Sequence, residues 1–424
     1  MDVRWGCGIG RAFRPAGLLR LGMAVSAAWL SSATPSLGQE GPKADAKGFA
    51  VTEPVKVDRA RLDAHRARLR RGDTALRPAL RKLVARADAL LAYAPVSVMQ
   101  KRDLPPSGDR HDYMSLAPYW WPDNSKPGGI PYLRRDGEVN PEVKNYPDKE
   151  HLPVLCANSW TLGLAYHYTG EEAYARHAAT LVRTWFLDTA TRMNPHLRYG
   201  QAVKGITEGR AEGLIETRHF IYALDAVGLL QGSRHWRPAD QQGLQAWFRA
   251  FLQWMETDAI GRDERGAKNN HGVWYDAQRL AFARFTGDTA RAADAVRETL
   301  RRLDSQMDER GALPDELGRT RSLHYSAYCL QAFLLVAQMA REGGTELWTA
   351  VTPNGRSLPR GIDFLMPYLT GAQPWPWRQI DTFRPRMAYG MLWPAGVRFG
   401  RTDCFAILRT DAGPTFDDSV LTLL

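Results

Sequence analysis

The chain has little cysteine: four residues in 424, Cys7, Cys156, Cys329 and Cys404, widely spaced and with no CxxC. That excludes a disulfide framework and a cysteine-built zinc site. The last three read as small buried residues, with at most one bridge among them. Long apolar runs are missing too. Beyond the first residues nothing approaches the ~20 consecutive apolar residues that a membrane span needs. There is no Lys/Arg tail, so nucleic acid is not an expected partner. Strand-like alternation is faint and confined to Val397–Leu408, which leaves a helical fold as the expectation.

What is present describes a globular protein. Hydrophobic residues make up 44% and charged residues 24%, enough for a sizeable core. Trp 14, Tyr 15 and Phe 14 suit either a core or a sugar-binding cleft. The net charge of +10 favours an anionic partner. Arg4, Arg11, Arg14 and Arg20 precede a short apolar stretch, Leu21–Leu30, and then small residues Ser36 and Gly38. This pattern predicts a secretory signal over residues 1–38, hence a periplasmic or secreted protein with no stable membrane insertion once it is cleaved. Its removal takes four Arg and Asp2, a net +3, and leaves +7. Residues 39–57 read as a polar lead-in and residues 58–424 as one domain.

Helical spacing runs from Asp58 to Tyr93, with a break at Gly72-Asp73. Residues 94–148 contain nine prolines and several glycines, together with Tyr113, Tyr119, Trp120, Trp121 and Tyr132. So long a loop, rich in aromatics, predicts an ordered lid or cleft wall. Helices follow at Asn158–Tyr168, Glu171–Phe186, Thr217–Leu230, Pro238–Thr257, up to Phe285, from Asp288 to about Met307, and Leu323–Arg341. Thr169-Gly170 and Thr286-Gly287 punctuate them, since glycine ends helices and acidic residues open the next. Antiparallel helix pairs repeated without a strict period predict an all-α fold. The expected form is an (α/α) toroid, an incomplete double ring in which each pair buries its apolar face on its neighbours.

Three polar clusters lie at helix starts. The first is Lys268-Asn269-Asn270-His271 before Trp274, Tyr275 and Asp276. The second is Arg319-Thr320-Arg321 before His324, Tyr325 and Tyr328. The third runs from Tyr199 to Arg210 and on to His219. Asn is a good N-cap, and Arg210 can pair with Glu208 or Glu212, so each cluster has a structural reading as well. As a set, however, Asn, His, Arg and Tyr fit one reaction. The C5 proton of a uronic acid lies beside a carboxylate, and its removal requires that charge to be neutralised. Asn, Arg or protonated His can do this, while Tyr serves as acid, base or both. The bond at O4 then breaks by β-elimination with no metal or cofactor. Glycoside hydrolysis would instead need two matched carboxylates. Asp123, Glu142, Glu208, Glu212, Asp315 and Glu316 are available, but no pair stands out.

Tyr-Met-Ser-Leu-Ala-Pro-Tyr-Trp-Trp-Pro-Asp (113–123), Gly129 to Glu142, Asn269-Asn270-His271 and the Arg319–Ser326 run together resemble the alginate lyase superfamily of polysaccharide lyases. The likeness spans roughly residues 100–340. It implies a helical toroid and a lyase acting on an acidic, uronate-containing polysaccharide or oligosaccharide. Asn270, His271 and Arg319 match the family's carboxylate-neutralising residues, with Arg321 a neighbour of Arg319. Tyr325, 54 residues beyond His271, matches the catalytic Tyr, with Tyr328 as the other candidate. Tyr113, Trp120, Trp121, Asn158, Arg210, His219, Tyr275, Arg321 and Tyr328 are the expected substrate contacts. Alginate, glucuronan or another polyuronate, a hydrolase on the same toroid, and a non-catalytic polyuronate binder all remain open at this stage.

Overall fold

Burial sorts the helices into two kinds. In the helix Asn270–Thr286 every residue but His271 is buried, whereas Thr289–Gln306 buries only a stripe at Ala292, Ala295, Val296, Thr299 and Leu303, together with Arg302. A helix apolar all round belongs inside and an amphipathic one outside. In the computed structural model, which describes residues 53–413 and 420–424, this alternation repeats along the chain. The helices are α1 (Arg59–Arg70), α2 (Arg77–Leu90), α3 (Asp148–Thr169), α4 (Glu172–Phe186), α5 (Phe220–Leu229), α6 (Pro238–Thr257), α7 (Ala259–Gly266), α8 (Asn270–Thr286), α9 (Thr289–Gln306), α10 (Pro314–Leu317), α11 (Ser322–Glu342), α12 (Leu358–Leu369), α13 (Tyr389–Phe399) and α14 (Thr402–Ala412).

α3, α5, α8 and α11 pack side by side as the inner layer, while α4, α6, α9 and α12 cover them. This is the (α/α) toroid expected from the sequence. All described residues belong to one compact unit. The predicted signal, with Cys7, and the lead-in up to residue 52 lie outside the described residues. The last residues of the lead-in are not a solvated tail. Val55 and Val57 are buried, the Lys56 amide donates to Asp225 (2.8 Å), and Arg284 donates to the Val55 carbonyl. At the other terminus the Leu423 carbonyl accepts from the Tyr168 hydroxyl (2.7 Å). Cys156, Cys329 and Cys404 are buried and unbridged. Much of the aromatic content is core: Phe186, Phe220, Trp247, Phe248, Phe251 and Phe282 make one edge-to-face cluster.

The glycine punctuation works as read. Gly170 (φ 77°) and Gly287 (φ 78°) close α3 and α8 in the left-handed conformation. Three expectations need correction. Val397–Leu408 is helical, split between α13 and α14 at Gly400; its apolar alternation came from two short helices meeting. α3 begins at Asp148, ten residues before Asn158, because Pro153 sits within its opening turns rather than ending it. Residues Ala211–His219 form a 3-10 turn and only then pass into α5.

Residues 94–147 contain no α-helix, as the prolines implied. Instead β1 (Met114–Leu116) pairs in parallel with β4 (Tyr199–Ala202). The strands β2 (Trp120–Trp121) and β3 (Leu133–Arg134) form an antiparallel hairpin. Beneath β1 the buried Glu216 accepts from Tyr113 (2.8 Å), Ser115 (2.7 Å) and Lys149 (2.7 Å). Asp148 takes Lys101 (3.0 Å). These buried pairs fasten the segment to α3.

Candidate active site

The inner helices α8 and α11 are neighbours, so the polar residues that open them share one end of the toroid. Asn269 caps α8, its side chain accepting from the His271 amide at 3.0 Å. Asn270 turns inward: its backbone amide donates to Glu316 Oε1 (2.6 Å) and its side-chain Nδ2 to both Glu316 oxygens (3.0 Å each). Its Oδ1 is buried without a partner. His271 is partly exposed, and its Nδ1 meets the buried Glu264 at 2.7 Å. Burial works against an imidazolium there, yet the Glu264 carboxylate outweighs it and raises the proton affinity of His271 above the ordinary value. Burial also raises the pKa of Glu264 and of Glu316, against the pull of their partners.

At the start of α11, Arg319 lies over the ring of Tyr325, 3.8 Å from its centroid. Asp136 grips the same guanidinium at 2.7 and 3.2 Å and accepts from the Thr320 hydroxyl at 2.9 Å. Two residues on, Arg321 is held by Asp381. Carboxylates from two different loops therefore fix the two arginines. The β2–β3 hairpin explains the first of these. Its base is closed by the Arg135 amide on the Tyr119 carbonyl (2.7 Å), so Tyr119 and Asp136 emerge side by side. Gly137 follows at φ 82°, where a Cβ would stand 2.6 Å from the Thr320 hydroxyl; only glycine lets the hairpin close on α11. The Tyr119 and Tyr325 hydroxyls then meet at 2.8 Å. Burial and Tyr119 push the Tyr325 phenol well above the usual tyrosine value, and Arg319 opposes them.

Asn270 and His271 thus open α8 while Arg319 and Tyr325 lie at the start of α11, and Glu316, which holds Asn270, feels the charges of both Arg319 and His271. Tyr328 lies one turn below Tyr325, packed on Trp274 (5.0 Å) and parallel to His324 (6.0 Å), with Arg218 over its ring at 5.6 Å. Burial pushes its phenol up to about 12. Arg210 takes its structural reading, pairing with Glu212 (2.9 Å) and Gln201 (2.8 Å), and sits 5.9 Å from the Trp120 ring. Trp121 donates to the Glu138 carbonyl (2.9 Å) under Arg135. His219 is partly exposed, and burial beside Arg218 keeps it neutral.

Other expected contacts are corrected. Tyr275 is fully buried and donates to the Met255 carbonyl (3.0 Å). Tyr113 spends its hydroxyl on Glu216, and Asn158 is buried within α3. None of the three presents a surface to a sugar. Asn270 is itself wholly buried. Tyr119, Asp136, Glu264 and Glu316 hold these side chains in place; of the four, the sequence marks Tyr119 only as a loop aromatic and Glu316 only as a candidate hydrolytic carboxylate. Among the described residues no group of three His, Cys, Asp or Glu could hold a metal ion, and no helix is long and apolar enough to cross a membrane.

Comparison with known proteins identifies the fold and the family. The crystal structure of an alginate lyase from Bacteroides ovatus is 34% identical, with a TM-score of 0.81, over 88% of this chain and 98% of that one. Alginate lyase A1-III from Sphingomonas species A1 shares the fold at 16% identity, with a TM-score of 0.56 over 86% and 92% of the two chains. A tyrosine-to-phenylalanine variant of A1-III complexed with a tetrasaccharide matches at 16% identity and a TM-score of 0.54, over 84% and 90%. No curated protein sequence matches. The family profile described as Alginate lyase matches residues 97–375, and the chain belongs to that family of polysaccharide lyases.

Proposed function

We propose that the protein cleaves alginate, or a closely similar polyuronate, by β-elimination at the cluster of His271, Arg319 and Tyr325. The observation that carries this reading is the Arg319 guanidinium 3.8 Å from the Tyr325 ring, with the His271 imidazole, which Glu264 favours in its charged form, opening the neighbouring inner helix. Two cations beside a phenol suit a sugar acid whose C5 proton is to be removed. The cations take up the charge that spreads onto the carboxylate as the C5–H bond breaks. The C4–O4 bond then opens, a C4–C5 double bond forms, and the departing oxygen takes a proton. Tyr325 is protonated in the free protein, the state needed for that last transfer. For the C5 proton, Tyr325 first releases its own proton to solvent, which Arg319 favours and burial resists, then takes the proton from C5 and passes it to the departing O4.

Asn270 reaches the sugar carboxylate only when its amide turns away from Glu316. Glu264 and Glu316 are occupied by His271 and Asn270, which supports elimination over hydrolysis by a carboxylate pair. The net +7 after residues 1–38 suits a polyanionic substrate, and the basic and apolar pattern of that segment supports export to the periplasm or beyond.

The test is a panel of polymannuronate, polyguluronate and glucuronan scored by ultraviolet absorbance for unsaturated ends. Absorbing products from the alginate polymers, lost in Tyr325→Phe while binding persists, are expected. Cleavage without an unsaturated end, or full activity of Tyr325→Phe, overturns the reading.

A further inference from the structure

A second group of aromatic residues lies at the same end of the toroid, on elements the chemistry does not use. Phe364 and Tyr368 stand one turn apart on α12, and Trp375 and Trp377 follow in the next loop. Their rings form a continuous patch, with centroids 4.7 Å apart for Trp375–Trp377, 4.9 Å for Tyr368–Trp375 and 5.7 Å for Phe364–Trp377. All four keep part of their surface in solvent, unlike the Phe186–Phe282 cluster of the core. Arg378, next in sequence, is exposed and makes no ion pair among the described residues.

This loop is bound to the helix that carries Arg319 and Tyr325. The Trp375 indole donates to the Ser322 hydroxyl (2.8 Å), and that hydroxyl donates to the Arg378 carbonyl (2.6 Å). The Ser322 amide donates to the same carbonyl (3.2 Å), and the Ile380 amide to the Thr320 carbonyl (3.0 Å). Gln379 accepts from the Leu323 amide at 3.1 Å. The patch is therefore continuous with the first turn of α11 and held rigidly to it.

We propose that Phe364, Tyr368, Trp375 and Trp377 with Arg378 form an outlying subsite that binds a uronate unit of the substrate chain away from the bond being broken. This inference rests on the polyuronate reading above. The chemistry of the patch fits that occupant in two ways. The C–H face of a pyranose packs on aromatic rings, and an unpaired guanidinium receives a carboxylate bidentately. A contiguous, partly exposed aromatic surface is costly to maintain in water unless something covers it. A chain leaving the Arg319–Tyr325 centre along the 371–381 loop would do so.

The experiment measures binding of saturated mannuronate oligosaccharides of two, four and six units to the Tyr325→Phe protein, by calorimetry and by quenching of tryptophan fluorescence. Trp377→Ala and Arg378→Ala are each introduced into that background. Each is expected to weaken hexamer binding about tenfold, with a smaller effect on the tetramer and least on the dimer, and added salt should shrink the Arg378 effect. Arg378 is exposed, so its variant tests the subsite even if Trp377→Ala fails to fold. Equal weakening at every length, or none, overturns the subsite while leaving the lyase reading in place. If the parent protein neither binds nor cleaves any uronate, both fall together.

Discussion

The hydroxyls of Tyr119 and Tyr325 lie 2.8 Å apart, joined across 206 residues by a hairpin that folds over the start of α11. The contact holds the Tyr325 hydroxyl in place before substrate arrives, and either hydroxyl can be its donor. Tyr119→Phe removes the hydroxyl and keeps the ring. Loss of one hydrogen bond, about 1.5 kcal/mol, corresponds to roughly a tenfold fall in turnover. Steady-state rates check this; an unchanged kcat would make the pair incidental to the chemistry.

Glu264 should set the pH range of activity. Burial disfavours the His271 imidazolium and the carboxylate at 2.7 Å more than restores it, so its folded pKa stands above the unfolded value. The charge is complete below the ordinary histidine range and is lost as pH rises through the raised value. Turnover that needs the cation therefore declines on the alkaline side. Glu264→Gln keeps the shape and removes the attraction, so the alkaline limb should move toward acid. A pH–rate profile of both proteins decides it, and an unmoved limb would assign the decline to another group.

The sequence was most legible where local chemistry decides the outcome. Gly170 and Gly287 end helices for steric reasons that hold in any fold, and the predicted α6, Pro238–Thr257, matches the observed helix at both ends. The proline content of 94–148 foretold an ordered wall, and Asn270, His271, Arg319 and Tyr325 could be picked out from their motifs. The partners were not visible. Asp136 is 183 residues from Arg319, and Glu264 is an unremarkable acidic residue on a short helix. Their meaning comes only from contacts across the fold. Tyr275 misled for the opposite reason: position beside a motif says nothing about which face of α8 it occupies, and that face is core.

Asp136 is the clamp between the hairpin and α11. Although partial burial disfavours its charge, Arg319 and Thr320 hold its pKa well below the usual carboxylate range. The stabilisation is present above the unfolded carboxylate pKa and disappears only in strong acid. Asp136→Ala should cost on the order of 2 kcal/mol through the lost charge-assisted bonds. It should appear as a lower melting temperature and as faster proteolysis within residues 117–140. Melting and cleavage rates equal to the parent's would show that the hairpin is held by other contacts.

Glu316 poses a question of proton placement that a substitution can answer. With Glu316 ionised, Asn270 must point Nδ2 at it, leaving Oδ1 buried and unpartnered, an expensive state for a carbonyl. Burial raises the Glu316 pKa. A protonated Glu316 donates to Oδ1 and still accepts from the Asn270 backbone amide, which frees Nδ2 to donate to a sugar carboxylate. Glu316→Gln fixes that second arrangement permanently, since its Oε1 accepts from the backbone amide and its Nε2 donates to Oδ1. The Gln variant should therefore keep most of its activity, with its alkaline limb moved toward acid because the Glu316 charge that supports the His271 imidazolium is gone. Glu316→Ala, which leaves both groups of Asn270 without partners, should lose at least a hundredfold in kcat/KM and melt earlier. If Gln and Ala are equally impaired, the negative charge of Glu316 itself is required and Asn270 acts only as a structural tie.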